Sequence, residues 1–298
     1  MMKTVQEVLS SGTAYLEARG IEGARTSMQC LLAHVLGTNR TWLYLHPEEP
    51  LNEQTLAPLR DLLRARGQGT PLQHLLGTVE FYRRIFRTDA RALVPRPETE
   101  ELVELALQIA PRREHMRVLD MGCGSGIIGI TLALELKVHQ PEVVLADISP
   151  AALSLALENA TSLGARVRTY RSDLFSAWAP GDTEEDTRII PPAPYDLVLA
   201  NLPYIPQGEP LSAEVLHDPP TALYGGEDGL DVIRRFLVEA LPYLSPGAPV
   251  LLEVGHDQGE RTVSLMQEAG YLRAELRRDI NGVARFPLAY APQPDGEE

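Results

Sequence analysis

Apolar residues recur at helical spacing through the first part of the chain. Val5, Val8, Leu9 and Leu16 form one set, Met28, Leu31, Leu32, Val35 and Leu36 a second, and residues 56–63 a third. Gly20 and Gly37 read as helix stops. Residues 1–70 are therefore expected to form a small helical domain, and nothing in them points to chemistry. Between 71 and 93 the texture changes. Phe81, Tyr82, Ile85 and Phe86 stand among turn-prone residues and predict a β-hairpin linker between two domains. Pro95 and Pro97 then fix the entry to an apolar helix over 102–109, with Glu98 and Glu100 suited to its N-terminus.

From residue 117 onward, short apolar runs alternate with helical patterns. Strands are expected at 117–120, 142–147, 167–170, 197–200 and 250–254. Helices are expected at 127–136, after 151, at 230–241 and at 261–269. This alternation predicts βαβ units and a parallel, doubly wound α/β sheet over residues 94–290. Residues 279–288 read as a closing antiparallel strand, and 291–298 as a flexible tail. Residues 179–194 interrupt the rhythm with four prolines and the acidic cluster Asp182, Glu184, Glu185 and Asp186, and are read as a solvated surface loop.

A length of 298 residues suits one large or two modest domains at roughly 150 each. Hydrophobic residues make up 44% and charged residues 23%, which excludes a mostly disordered chain. The formal charge of −14 repels a phosphate backbone at long range and argues against direct nucleic-acid binding. Cys30 and Cys123 form neither a C-x-x-C pair nor a disulfide framework, pointing to a reducing cytoplasm. No secretory or transit signal is recognisable, and no apolar run reaches the ~20 residues of a membrane span. The seven histidines are scattered without metal-ligand spacing, so no metal is expected.

Asp120-Met121-Gly122-Cys123-Gly124-Ser125-Gly126 follows the first strand of this region and opens a helix. Small residues there let the backbone approach a ligand and permit positive φ. Gly124, Gly126 and Gly129 also satisfy G-x-G-x-x-G, so a dinucleotide site stands as one reading. Asp120 would repel a pyrophosphate but suit the ammonium of S-adenosylmethionine. Asp147 ends the next strand, placed to accept ribose hydroxyls of either ligand. Asp173 and Leu174 follow the third strand, where they can meet an adenine; a plain capping role for Asp173 remains the alternative.

Asn201-Leu202-Pro203-Tyr204 follows the apolar strand at 197–200. It resembles the [N/D/S]-P-P-Y motif of methyltransferases that act on planar amino groups. The lone pair of an amide or exocyclic amine is delocalised, so the nitrogen needs orienting. The Asn201 side-chain oxygen and the Leu202 carbonyl supply two acceptors for its N–H groups. Pro203 stiffens the turn and Tyr204 offers an aromatic face. Leucine stands at 202 where proline is usual, a spelling also found in ribosomal-RNA adenine dimethyltransferases.

Together with Gln73-His74-Leu75-Leu76-Gly77, Glu80-Phe81-Tyr82, the segment Val94-Pro95-Arg96-Pro97-Glu98-Thr99-Glu100 and the P-P-T-A-L-Y-G-G-E-D-G-L-D stretch over 219–231, these motifs resemble the HemK/PrmC family. These are protein-(glutamine-N5) methyltransferases of peptide chain release factors. The resemblance covers most of residues 71–290. It implies a Rossmann-like class I S-adenosylmethionine-dependent methyltransferase domain behind a helical N-terminal domain that docks the substrate. It further implies that Gly122, Cys123, Gly124, Ser125, Gly126, Asp147, Leu174 and Asn201 line the cofactor, with Asp120 and Asp173 beside it. Asn201 to Tyr204 would hold the glutamine of a Gly-Gly-Gln tripeptide in class 1 release factors. At Leu174 the family often carries a larger aromatic. The expected protein is a cytoplasmic monomer that uses S-adenosyl-L-methionine. Rival readings are an N6-adenine RNA or DNA methyltransferase, a non-enzymatic nucleotide-fold binding protein and a nicotinamide-linked oxidoreductase.

Overall fold

The computed structural model describes residues 3–179 and 191–293. The chain divides into two compact units. One comprises Met1–Val79, Thr88–Ala90 and Pro210–Asp218; the other comprises Glu80–Arg87, Arg91–Glu209 and Pro219–Glu298. The second run of the first unit and the third are short excursions from sequence that otherwise belongs to the second.

In the first unit β1 (Lys3–Thr4) leads into α1 (Val5–Glu17), followed by α2 (Ala24–Leu36), α3 (Arg40–Leu45), β2 (Pro50–Leu51), α4 (Glu53–Gly67) and α5 (Leu72–Leu76). Side-chain caps set the starts. Thr4 and Glu7 make a reciprocal capping box at α1, Asn39 caps α3 through the Trp42 N–H, and Asn52 caps α4 through the Thr55 N–H. Val8, Leu16, Met28, Leu31, Leu32, Leu43 and Leu59 form the unit's apolar core. The short helices α3 and α5 and the strand pair β1–β2 add to the three expected helices.

β3 (Thr78–Phe81) and β4 (Arg84–Arg87) form the expected hairpin. Its turn places Tyr82 and Arg83 at φ 47° and 61°, the sense that matches strand twist. Asn159 ties β4 to the loop that holds Ser125. Its Oδ1 accepts the Arg87 N–H at 2.7 Å, and its Nδ2 donates to Arg87 O at 3.1 Å and Ser125 O at 3.0 Å.

The second unit continues with α6 (Glu98–Ile109), β5 (Arg117–Met121), α7 (Ile127–Glu135), β6 (Glu142–Asp147), α8 (Pro150–Leu163), β7 (Val167–Arg171), β8 (Leu197–Ala200), α9 (Asp231–Ala240), β9 (Pro249–Leu252), α10 (Gly259–Glu268), β10 (Leu272–Arg278) and β11 (Ala284–Tyr290). They build a seven-stranded sheet in the order β10-β11-β9-β8-β5-β6-β7. β5 through β9 run parallel, while β11 joins β9 and β10 antiparallel. β8 and β9 are buried along their whole length, as parallel strands covered on both faces must be.

Strand order reverses between β5 and β8, which opens a crevice outside the carboxyl ends of these neighbours. The glycine loop follows β5 and the N-L-P-Y loop follows β8, so the sheet sets the two motifs side by side. Among the described residues no helix is long and apolar enough to cross a membrane.

Two expectations need correction. The closing strand expected at 279–288 straddles the turn between β10 and β11, where Gly282 N–H bonds Asp279 O at 2.8 Å. β10 has the burial of a half-solvated edge strand, and its sequence L-R-A-E-L-R-R carries no apolar run to betray it. The tail expected from 291 is still tied down at its first residue, because Ala291 is buried and donates to Ala248 O at 2.9 Å. Most of the acidic loop expected at 179–194, and residues 294–298 of the tail, lie outside the described residues.

Candidate active site

At the end of β5 the chain turns through Gly122, Gly124 and Gly126, with φ of 70°, 53° and 78°. Side chains other than glycine rarely adopt this region. The turn is anchored on β6: Gly122 and Cys123 N–H both donate to Ala146 O, at 2.8 and 3.0 Å. Gly124 N–H donates to Asp147 Oδ2 at 2.9 Å, and Ser149 N–H to Asp147 Oδ1 at 2.8 Å. Burial raises the Asp147 carboxyl above its ordinary range, opposed by those backbone donors. A carboxylate has about four acceptor sites, and the backbone N–H groups of Ser149, Gly124 and Ile148 act on Asp147, so acceptor capacity remains for a ligand hydroxyl.

Asp120 stands behind this loop rather than in the cavity wall. It is fully buried; Oδ2 accepts the Gly129 N–H at 2.8 Å, and Oδ1 has no partner among the described residues. Burial pushes its pKa up to about 7, with the Gly129 N–H pulling it down and the charge of Asp147 adding to the rise. Cys123 is buried and its thiol is raised well above the ordinary value by desolvation, so it contributes a neutral wall atom and no thiolate.

Beyond β8, Asn201 is half-buried and Leu202 is buried. A Cβ placed on Gly122 would stand 3.0 Å from Leu202 Cδ2, so the two motif loops are in van der Waals contact. The loop is braced from two sides. Gln258 Nε2 donates to Tyr204 O at 2.8 Å, and Ile205 exchanges backbone bonds of 2.9 Å with Leu223 and Gly225. The glycines at 225 and 229 allow this bracing: a Cβ at 225 would lie 2.4 Å from Pro203 O, and one at 229 would lie 2.2 Å from Tyr204 O. The G-G-E-D-G stretch is thus a backbone-on-backbone buttress for N-L-P-Y.

A cavity of about 320 Å³ opens between these loops, within the range of small-ligand sites. Its wall contains Gly122, Cys123, Gly124, Ser125, Asp147, Asp173, Leu174, Asn201, Leu202 and Pro203. Asp120, Gly126 and Tyr204 are not part of that wall. Gly126 serves as the N-cap of α7, and Tyr204 is half-buried against the core on the sheet side. Burial, and then the charge of Glu253, raise the Tyr204 phenol above its ordinary value. Asp173 is exposed, with its carboxylate 3.3 Å from Arg235 Nη2, and Leu174 is buried at φ 46°.

Sequence reading did not identify Thr99, Ser149, Tyr224 or Val232 as wall residues. It also passed over Glu253, which lies hidden in the apolar run 250–254. Glu253 comes directly after Leu252, the register partner of Ala200, and its N–H donates to Ala200 O at 3.1 Å. It therefore sits level with Asn201 on the neighbouring strand. Burial pushes its carboxyl up to about 7; hydrogen bonding from Thr99, the charge of Arg285 and hydrogen bonding from Asn201 oppose that rise, while Glu98 adds to it. Its Oε2 has no partner among the described residues.

These walls suit a cationic nucleoside better than a pyrophosphate. Two carboxyl groups, Asp120 and Asp147, flank the glycine loop. Two of the three wall arginines pair with acids: Arg91 with Glu158 at 2.6 Å and Arg235 with Asp173 at 3.3 Å. The unpaired buried oxygen of Asp120 behind the loop and the remaining acceptor sites of Asp147 both ask for donors.

Known proteins are similar to this chain in sequence and in fold. Residues 7–77 match the PrmC N-terminal domain and residues 101–217 the methyltransferase small domain. A release factor glutamine methyltransferase of Deinococcus radiodurans is 39% identical over 287 residues, covering 96% of this chain and 98% of that protein. Its namesake in Geobacter sulfurreducens is 38% identical over 285 residues, covering 95% of each. A methyltransferase crystal structure from Pyrococcus furiosus shares the fold at a TM-score of 0.50 and 16% identity, covering 70% of this chain and 89% of that one.

Proposed function

Because the chain belongs to the release factor glutamine methyltransferase family, we propose that it methylates the side-chain amide nitrogen of the glutamine in the Gly-Gly-Gln motif of class 1 peptide chain release factors, with S-adenosyl-L-methionine as donor. One observation carries this reading: the glycine loop and the N-L-P-Y loop wall a single cavity and touch through Gly122 and Leu202. When bound, S-adenosylmethionine supplies an electrophilic sulfonium methyl and leaves as the neutral thioether.

The chain's own residues do the rest. Asp147 would accept the ribose hydroxyls with its remaining acceptor capacity, and the glycine loop, with no Cβ at Gly122, Gly124 and Gly126, would admit the methionyl portion with Asp120 behind it. Asp173 and Leu174 border the adenine. The Asn201 side-chain oxygen and the Leu202 carbonyl accept the two amide N–H groups of the substrate glutamine. This fixes the nitrogen for in-line attack on the methyl carbon and favours the polarised transition state. Pro203 holds the turn, and Tyr204 packs behind it as an aromatic brace. The nitrogen–methyl bond forms as the sulfur–methyl bond breaks, and the methylated nitrogen passes its extra proton to water.

N6-adenine methylation of nucleic acid is the competing reading for an N-L-P-Y motif. The net charge of −14 and the names of the full-length relatives both weigh against it. The free thiols Cys30 and Cys123 agree with a cytoplasmic enzyme, and we take it to act as a monomer without direct contact to nucleic acid.

Asn201→Ala tests the reading. It should lower kcat by roughly a hundredfold or more, as loss of one preorganised hydrogen-bonding group does elsewhere. Calorimetry with S-adenosylhomocysteine separates any loss of cofactor affinity, expected because Asn201 also lines the cavity, from the loss of turnover. Near-normal turnover at saturating donor would refute the assigned role.

A further inference from the structure

Two short runs of the catalytic sequence, Thr88–Ala90 and Pro210–Asp218, fold with the helices of the first unit. The second run is held firmly. Arg66, in the last turn of α4, has a side chain only 5% exposed, and its Nη1 reaches Glu214 Oε2 at 2.9 Å and Thr70 O at 3.0 Å. Its Nε faces Ser27 Oγ at 3.3 Å. A guanidinium so buried is costly to leave without its carboxylate. Asp218, with 1% of its side chain exposed, lies 3.9 Å from His74 Nε2 on α5, and Thr70 Oγ1 lies 3.4 Å from His217 Nε2. A Cβ on Gly69 would come 2.8 Å from Ala213 Cβ, so the run also packs directly against the backbone after α4. In the first run the Thr88 N–H donates to Gly77 O, just after α5, at 3.2 Å.

Both runs end where the cavity wall begins. Ala90 is followed directly by Arg91, Ala92 and Leu93, and Asp218 by Pro219, Thr221 and Ala222, all of them wall residues. Successive Cα atoms are about 3.8 Å apart, so a pinned residue confines its neighbour to one link of travel. We infer that the helical unit positions the active site as well as meeting the substrate: through Arg66 it fixes the chain at Glu214, through Gly77 it fixes the chain at Thr88, and so it sets the ends of two wall segments. Arg66 is a positioning residue on this view, acting through Glu214. The inference rests on the methyltransferase reading above.

The test uses the full chain carrying Glu214→Ala, Glu214→Gln or His217→Ala. Glu214 is 36% exposed and lies outside the apolar core of the helices, so the cut is made from the tethered side. Turnover is measured on a purified release factor and on a short Gly-Gly-Gln peptide that does not need the helical unit for docking. S-adenosylhomocysteine affinity and hydrogen exchange over residues 221–224 are measured in parallel. Glu214→Ala should lower kcat about tenfold on both substrates, a modest share of what misplaced geometry can cost. It should also weaken S-adenosylhomocysteine several-fold and speed exchange at 221–224. Glu214→Gln, which keeps an acceptor for Arg66 but loses the charge, should restore part of each, and His217→Ala should move the same quantities less. A rise in KM for the release factor alone, with peptide turnover, ligand affinity and exchange unchanged, would overturn the inference and leave a docking role only. If the wild-type chain methylates no glutamine, the function is wrong, yet ligand affinity and exchange still decide whether the tether shapes the cavity.

Discussion

Glu253 and Asp120 are buried acids whose carboxyls both titrate at about 7 because the surroundings are poor in water. Each has a folded pKa above its ordinary value, 4.5 for Glu253 and 3.8 for Asp120, so the folded chain binds more protons than the unfolded chain in between. Their effect on stability is therefore most favourable below that window and is lost as pH rises through about 7. For Glu253 alone the difference is on the order of 3 kcal/mol. The ligand-free protein should show a melting temperature that declines across this window, and Glu253→Gln should remove part of the decline. An unchanged slope in the variant would mean that Glu253 is ionised in the fold at all these pH values. The presence of an acid inside the apolar run 250–254 was the available signal for it. Such a run reads as strand, and only the register beside Ala200 shows that its acid neighbours Asn201.

At the scale of the element, the glycine loop was legible because its requirement is local. Positive φ at three glycines and a strand-to-helix turn leave few other spellings. Gly126 shows how tight the element is. A Cβ there would lie 2.9 Å from both Ala156 Cβ and Ile130 Cδ1, at φ 78°. Gly126→Ala should destabilise the protein by about 1–3 kcal/mol through strain and overpacking, read as a lower denaturation midpoint. Wild-type stability in that variant would show that α8 can move aside. The parallel strands were also legible, since burial on both faces writes them as apolar runs. β10, α3 and α5 were not. An edge strand that is half solvated has a polar spelling, and helices of five or six residues offer too few turns for a period to show.

For the whole molecule, motif identity and the alternation of parallel strands with helices were legible in the sequence, and the division of the chain was not. No local pattern marks Pro210–Asp218 as part of the helical unit, because its membership depends on Arg66 and His74, more than a hundred residues away in sequence. Nor do the motifs alone show that the G-G-E-D-G stretch braces N-L-P-Y, a contact fixed by the closeness of two backbones. The most direct measurement is tandem mass spectrometry of a purified class 1 release factor after incubation with this protein and S-adenosylmethionine, with an RNA pool offered in a parallel reaction. The expected result is the mass of one CH₂ added to the side-chain nitrogen of the Gly-Gly-Gln glutamine and no methyl on RNA. A methyl on adenine, or an unmodified glutamine under conditions where the donor is consumed, would contradict the assignment.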